Sequence, residues 1–446
     1  MMTIEAKKQA LLALSQQVLD EAKKQGASSA AAGISTGDGL SVDVRMAEVD
    51  KLEYHRDQGL GVTVYFGQRQ GTSSTGDLSA QAIQDAVRAA CNIAKYTSED
   101  DCRGLADAEL MATHLPDLDL YHPWDISAEQ AIQQAIICEQ SARDFDAKIT
   151  NSDGASLSTY SGLSVYANSH GFAAVRASSS HSLSCSVIAN EADGAGMQRD
   201  HWYTNSRLAT SLDSPERVGQ KAAEETLSRL GARKLSSRQA PVMYIPQLAA
   251  SLLGHFTSGI SGGALYRKAS FLVDSIDTQV FPEFVHLYEQ PFIPQGLNSA
   301  AYDSEGVATR ERDIVKDGIV QSYILGSYSA RKLGLQSTGN SGGLHNLTVG
   351  STGQSFKDML SMMDTGLLVT GLIGSGINMM TGDYSRGATG FWVEGGVIQY
   401  PVEEITIAGN LKQMLGGIVA IGNDWDPRLG TRTGSILVDQ MMISGE

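Results

Sequence analysis

Between residues 4 and 24, Leu11, Leu12, Leu14, Val18, Leu19 and Ala22 recur at the spacing of a single apolar stripe on an amphipathic helix. The period then drops to two. Leu40, Val42 and Val44 alternate with polar residues, as do Leu60, Val62, Val64 and Phe66, which predicts a strand meander with turns at Thr36-Gly-Asp-Gly39 and Asp57-Gln-Gly59. A helix over residues 79–96 follows, with Ile83, Val87, Cys91 and Ala94 on one face. Residues 97–125 are polar, aperiodic and interrupted by Pro116 and Pro123, the character of a linker.

The same succession then returns. Ser127-Ala-Glu-Gln130 is a capping box that opens a helix to about residue 145. A second meander covers residues 149–189, broken at Asn151-Ser-Asp-Gly154 and at Asn168-Ser-His-Gly171, and Ser214-Pro215 starts a helix that stops near Gly231. No residue-level repeat accompanies this order. Residues 1–235 therefore read as one N-terminal α+β domain with two lobes, about 1–100 and 126–232.

After the polar run that starts at Arg233, the chain shifts to glycine and β-branched residues. A strand is expected at residues 241–245, a hairpin at 391–400 turning on Glu394-Gly-Gly396, and short strands at 404–409 and 417–421. Ser355-Phe-Lys-Asp358 caps a short helix reaching Met363. Strands and helices are segregated rather than alternating, so the fold class is α+β, with a mostly β C-terminal domain over residues 236–446.

Composition narrows the function. A chain of 446 residues is too long for one ordinary core. A formal net charge of −16, with no basic run longer than three residues, argues against a nucleic-acid partner. No apolar run approaches the roughly 20 residues that span a bilayer, and no signal-peptide pattern opens the chain. The four cysteines, Cys91, Cys102, Cys138 and Cys185, have no CxxC spacing. The expected setting is the cytoplasm.

The most informative segment is Pro246 to Leu272. Leu248, Leu252 and Phe256 recur every four residues behind Pro246, a first-turn proline. The helix then opens into Gly259, Gly262 and Gly263, followed by Arg267 and Lys268. This layout builds one wall of a cleft, yet His255 is the only titratable group on the helix itself. A local zinc-peptidase helix needs two histidines on one face and a glutamate to take a proton from bound water. None of the nine histidines precedes a glutamate, and no two lie closer than eight positions.

Other chemistries are weaker still. Gly259-Ile-Ser261-Gly-Gly263 and Gly339-Asn-Ser341-Gly-Gly343 match the spacing of a serine nucleophile elbow, the second with His345 nearby, but 47 glycines produce such matches by chance. Both read as glycine-rich cleft loops. No phosphate-loop motif occurs, and Gly374-Ser-Gly376 lacks the third glycine of a dinucleotide fingerprint. His255 reads as either a structural or a cleft histidine. Arg267 and Lys268 read as either surface cations or holders of a substrate carboxylate or carbonyl. Gly382-Asp-Tyr-Ser-Arg-Gly387, with Tyr384, Ser385 and Arg386, suits an extended peptide bound through its main chain.

Five blocks in order carry a resemblance: Gly262-Gly-Ala-Leu-Tyr-Arg-Lys268, Asp303-Ser-Glu-Gly306, Ser327-Tyr-Ser-Ala-Arg-Lys-Leu-Gly334, Gly382-Asp-Tyr-Ser-Arg-Gly387 and Glu404-Ile-Thr-Ile-Ala-Gly-Asn410. The chain resembles the TldD/PmbA family of zinc peptidases over nearly its whole length, most closely the PmbA (TldE) branch. The resemblance implies a two-domain α+β fold and a cytosolic heterodimer with a TldD-like catalytic subunit. That complex trims extended peptides and unfolded proteins, including a peptide-antibiotic precursor and an antitoxin. An older label, modulator of DNA gyrase, also attaches to the family.

The catalytic branch carries HExxxH on the corresponding helix and a cysteine ligand near the C-terminus. Aligned on Tyr266-Arg-Lys268, the two histidine positions fall on Gly254 and Gly259, the glutamate position on His255, and the cysteine position near Ile421. The resemblance therefore implies no metal and no catalytic residue in this chain, with zinc in the partner. Substrate binding is expected from the residues themselves, through His255, Arg267, Lys268, Tyr384, Ser385 and Arg386, and the resemblance implies a homodimer where the partner is missing. The alternatives are a self-sufficient hydrolase using a serine or a dispersed metal site, and a peptide-binding protein without proteolytic activity.

Overall fold

The computed structural model describes residues 3–191 and 196–445. In the N-terminal part, α1 (Ile4–Lys24) starts where the Thr3 side chain accepts from the Ala6 amide. It is followed by β1 (Ser29–Arg45), β2 (Glu48–Phe66), β3 (Arg69–Thr75) and α2 (Ala80–Tyr96). The order then repeats as α3 (Ala128–Arg143), β4 (Ile149–Asn168), β5 (Ala173–Asn190), β6 (Met197–Ser206) and α4 (Pro215–Ser228). The predicted capping box is present at Ser127 and Gln130.

The two meanders are not separate sheets. β1 and β4 pair antiparallel from Ala31↔Asn168 to Val44↔Ala155, which fuses both lobes into one six-stranded sheet of order β3-β2-β1-β4-β5-β6. Alternation along β1 explains how one strand serves two cores. Ala30, Ala32 and Ile34 pack with α1 and α2, while Leu40, Val42 and Val44, on the same face, pack with α3 and α4.

Two expected turns are strand instead. Thr36–Gly39 and Asp57–Gly59 face each other inside β1 and β2, and the chain reverses at Met46 and Ala47, both at positive φ. The glycine that suggested a turn has a different cause. The Tyr160 ring of β4 lies over Gly37, where a Cβ would collide with its hydroxyl. Likewise Asn151–Gly154 forms a bulged stretch of β4, whereas the chain does turn after Asn168.

The C-terminal part contains β7 (Arg238–Tyr244), α5 (Pro246–Gly259), α6 (Gly262–Tyr266), β8 (Leu287–Glu289), β9 (Arg312–Lys316), β10 (Ile319–Val320) and α7 (Ser327–Lys332). After these come β11 (Leu347–Val349), α8 (Phe356–Met363), β12 (Gly366–Asn378), β13 (Asp383–Glu394) and β14 (Val397–Asn410). The last elements are α9 (Leu411–Gly416), β15 (Ile418–Ile421), β16 (Thr431–Arg432) and β17 (Ile436–Ser444).

A mixed sheet of order β14-β13-β12-β7-β17-β15 and a smaller one of order β10-β9-β8-β11-β16 share an apolar core around Tyr244, Phe256, Phe281 and Trp392. Phe256 of α5 meets Phe281 edge-on at 4.8 Å, which seats the helix. The β13–β14 hairpin turns on Gly395 and Gly396, both in the left-handed region that a two-residue turn of this kind requires.

Residues 97–125 are not a free linker. Tyr328 and Lys332 of α7 donate to Asp100, and Arg331 donates to the carbonyl of Leu105 and the carboxylate of Asp107. The Ala112 amide donates to the carbonyl of Gly306. Apolar content missed by a polarity reading helps: Leu105, Ala106, Ala112, Leu118 and Leu120 are buried. Arg331→Ala is expected to leave both cores folded while residues 97–125 are nicked by trypsin roughly tenfold faster. Unchanged digestion of that segment would show that α7 does not hold it.

Candidate functional site

The site forms where α5 crosses the sheet beside β13 and β7. Pro246 sits in the first turn of α5, and Ala249, Leu252, Leu253, Phe256 and Gly259 form its buried face. His255 leaves the helix toward β13. Gly382-Asp-Tyr-Ser-Arg-Gly387, expected as a turn, is mostly strand: Asp383 to Gly387 pair with Asn410 to Thr406. Alternation therefore splits the expected trio. Tyr384 is buried and Arg386 half-buried on one face, while Ser385 is exposed on the other.

The His255 and Tyr384 rings meet edge-on, centroids 6.0 Å apart. Tyr244 of β7 stands behind them, its hydroxyl donating to Met441 Sδ at 3.2 Å. Burial pushes the His255 pKa down, and the Arg386 charge pushes it further the same way, so the ring is held neutral. Burial raises Tyr384, with the Tyr244 hydroxyl and the Arg386 charge opposing, and raises Tyr244 well above the ordinary phenol value.

Three polar atoms here, His255 Nε2, Tyr384 Oη and Arg386 Nε, are buried without a hydrogen bond of good geometry, although the Tyr244 hydroxyl and Arg386 stand close enough to Tyr384 to oppose the rise of its pKa with burial. Leaving such atoms unmet costs about 1–3 kcal/mol each, more for a charged group. A cluster of three in one place marks buried polar groups that the surrounding packing leaves incompletely satisfied.

The remaining expected residues are distributed differently. Arg267 and Lys268 are exposed at the end of α6, and the Arg267 guanidinium lies over the Tyr266 ring rather than in the His255 cluster. Ile421 is buried in the C-terminal core on β15. Ser261 Oγ donates to the carbonyl of Ser258 at 2.7 Å, and among the described residues no hydrogen bond joins it to a basic group. Ser341 lines a cavity with His345, whose Nδ1 meets the buried Glu289 carboxylate at 2.9 Å. No hydrogen bond joins Ser341 Oγ to that ring among the described residues, so the nucleophile–base contact of a triad is not made.

The two helix positions aligned with metal ligands differ in space. A Cβ at Gly254 would meet nothing within 4 Å, whereas at Gly259 it would stand 2.9 Å from Leu272 Cδ1 and 3.3 Å from Ser270 Oγ. Among the described residues no three His, Cys, Asp or Glu side chains gather as a metal would need. His255 alone does not fit a zinc centre, and no step through a metal follows from these residues.

Sequence reading missed Tyr244. It sits in an apolar strand run where its hydroxyl looks like one more core aromatic, and only the crossing of β7, β13 and α5 shows that it backs the cluster.

Comparison with known proteins covers most of the chain. The family models for PmbA/TldA metallopeptidase match as domain 1 over residues 30–94, the central domain over 121–230 and the C-terminal domain over 237–445. An Escherichia coli O157:H7 protein named Metalloprotease PmbA is 49% identical, the alignment covering 93% of this chain and 91% of that one. A crystal structure from Bacteroides thetaiotaomicron, described as a modulator of DNA gyrase, superposes with a TM-score of 0.93 at 28% identity, covering all of both chains. TldE from Thermococcus kodakarensis shares the fold, with a TM-score of 0.84 at 18% identity over 97% of this chain and all of that one. No helix among the described residues is long and apolar enough to cross a membrane.

Proposed function

The chain belongs to the PmbA/TldA metallopeptidase family, in its PmbA (TldE) branch, and from that premise we propose that it is the metal-free subunit of a cytoplasmic peptidase complex. A TldD-like catalytic subunit supplies the zinc. This chain completes the cleft and holds an extended peptide or unfolded segment through His255, Tyr384 and Arg386. In the absence of the partner it pairs with a second copy of itself through the C-terminal domain. The single observation that carries the reading is the state of α5: glycine at both ligand positions, the second closed off by Leu272 and Ser270. Beside it lies a neutral histidine within a cluster of unmet polar atoms.

The cluster's chemistry suits binding rather than bond cleavage. A neutral imidazole offers one donor and one acceptor, a protonated phenol donates, and a guanidinium donates several times in a plane. Together they match the carbonyls, amides and terminal carboxylate of a peptide without reading its side chains.

The test is an assay of an unstructured peptide with the purified chain alone, with a TldD-like partner, and with partner plus chelator. Turnover is expected only in the second mixture. Chelator-insensitive turnover by this chain alone would replace the proposal with a self-sufficient hydrolase. Binding of the peptide without turnover in any mixture would leave only a peptide-binding role.

A further inference from the structure

Away from α5, a polar cavity of about 360 Å³ lies between the N-terminal sheet and the C-terminal part. Arg176 of β5 and Arg207, just beyond β6, form one side of it, and Ser178 stands beside them. Ser304 and Ser341 line it from the C-terminal part, as does Ser299, whose hydroxyl already donates to the Ile293 carbonyl and accepts from the Asn346 amide. The arginines are held by backbone carbonyls and, for Arg176, by the Tyr302 ring, whose centroid lies 4.8 Å from the guanidinium. Arg176 donates to the Tyr302 carbonyl at 2.7 Å, and Arg207 to those of Ser179, Gly296 and Leu297.

Among the described residues neither guanidinium has a carboxylate within 4.0 Å. Asp303 lines the same cavity, but its carboxylate and that of Glu289 are committed to other donors. Asp303 accepts from the amides of Glu305 and Val307 on one oxygen and of Ser341 on the other. Glu289 is engaged by Arg312, Asn340 and His345. Meanwhile the two arginines feel each other: burial lowers the Arg207 pKa and the Arg176 charge lowers it further. Two repelling cations share a half-buried wall in a chain of net charge −16, with the Ser304 and Ser341 hydroxyls lining the same cavity. Such an arrangement is stabilised by a counter-charge in direct contact with the guanidiniums, which no described carboxylate makes.

We propose that this cavity binds a small oxyanion, a carboxylate or phosphate on a compact body, which neutralises Arg176 and Arg207 and ties the N-terminal sheet to the C-terminal part. Arginine pairs suit such ligands because each planar guanidinium can donate two parallel hydrogen bonds to one oxyanion. The volume admits a compact metabolite and excludes a folded partner.

The experiment uses the full chain, titrated separately with inorganic phosphate and with succinate at constant ionic strength, sodium chloride being the control. Calorimetry and thermal unfolding are the readouts. Saturable one-to-one binding of phosphate or succinate, with a rise in Tm that chloride does not reproduce, is the expected result, and the better of the two identifies the oxyanion. Arg176→Gln should weaken binding by roughly tenfold or more. Ser178→Asp places a carboxylate beside both arginines, so it should abolish the response while raising the Tm of the ligand-free protein. Absence of saturable binding in the wild type would overturn the proposal. Binding undiminished in both variants would overturn it equally, by placing the anion elsewhere.

Discussion

Replacing Arg386 with alanine is expected to lower peptide turnover by the assembled complex roughly ten- to a hundredfold at low substrate, with little change in folding. Arg386 is half-buried, faces His255 and Tyr384, and has no ion-pair partner among the described residues. A charged hydrogen bond to substrate is worth about 1.5–3 kcal/mol, and its loss appears in kcat/KM. Because no internal ion pair is broken, the variant should unfold near the wild-type temperature. Arg267→Ala should do far less, since that guanidinium is exposed over Tyr266. Ser261→Ala and Ser341→Ala should do little. An unchanged kcat/KM for Arg386→Ala would remove the cluster from the substrate path. Loss of all activity in either serine variant would put a serine nucleophile in its place.

Regrafting the catalytic motif onto α5, as Gly254→His, His255→Glu and Gly259→His together, is expected to yield no stoichiometric zinc and to destabilise the chain. The first position has room. The second does not, because Leu272, Ser270 and Phe271 crowd the space a side chain would enter, and Leu272 is itself buried. Forcing a side chain into a packed core costs about 1–3 kcal/mol, and an imidazole adds a polar ring that needs partners. The third ligand position carries buried Ile421. Elemental analysis after dialysis and a thermal melt check both halves of this expectation. About one zinc per chain with an undiminished Tm would show that the loss of the metal site is superficial and that the closed packing around Gly259 does not maintain it.

The helices were legible for local reasons. Caps at Ser79, Ser127, Ser214 and Ser355, and the first-turn prolines at Pro215 and Pro246, all bond within a turn of themselves, so a short window of sequence contains the whole cause. The turns in the first meander failed for the opposite reason. Gly37 is glycine because Tyr160, more than a hundred residues away, lies across it. The segment at residues 97–125 looked like a linker because its anchors, Tyr328, Arg331 and Lys332, are more than 200 residues distant.

For the candidate site, the sequence by itself determined which groups are available: one histidine on α5, glycines at both aligned ligand positions, and a tyrosine and an arginine two apart. Alternation at a period of two already placed Tyr384 and Arg386 on one side and Ser385 on the other, once that segment is known to be strand. Only the tertiary structure decided that it is strand, that Tyr244 stands behind it, and that Gly254 opens on space while Gly259 is closed. The same holds for Arg176 and Arg207, which the pairing of β5 with β6 brings to one end of the strand pair and into one cavity. Covalent neighbours set caps and alternation, but packing between distant elements sets burial, and burial decides which polar atoms are left without a partner.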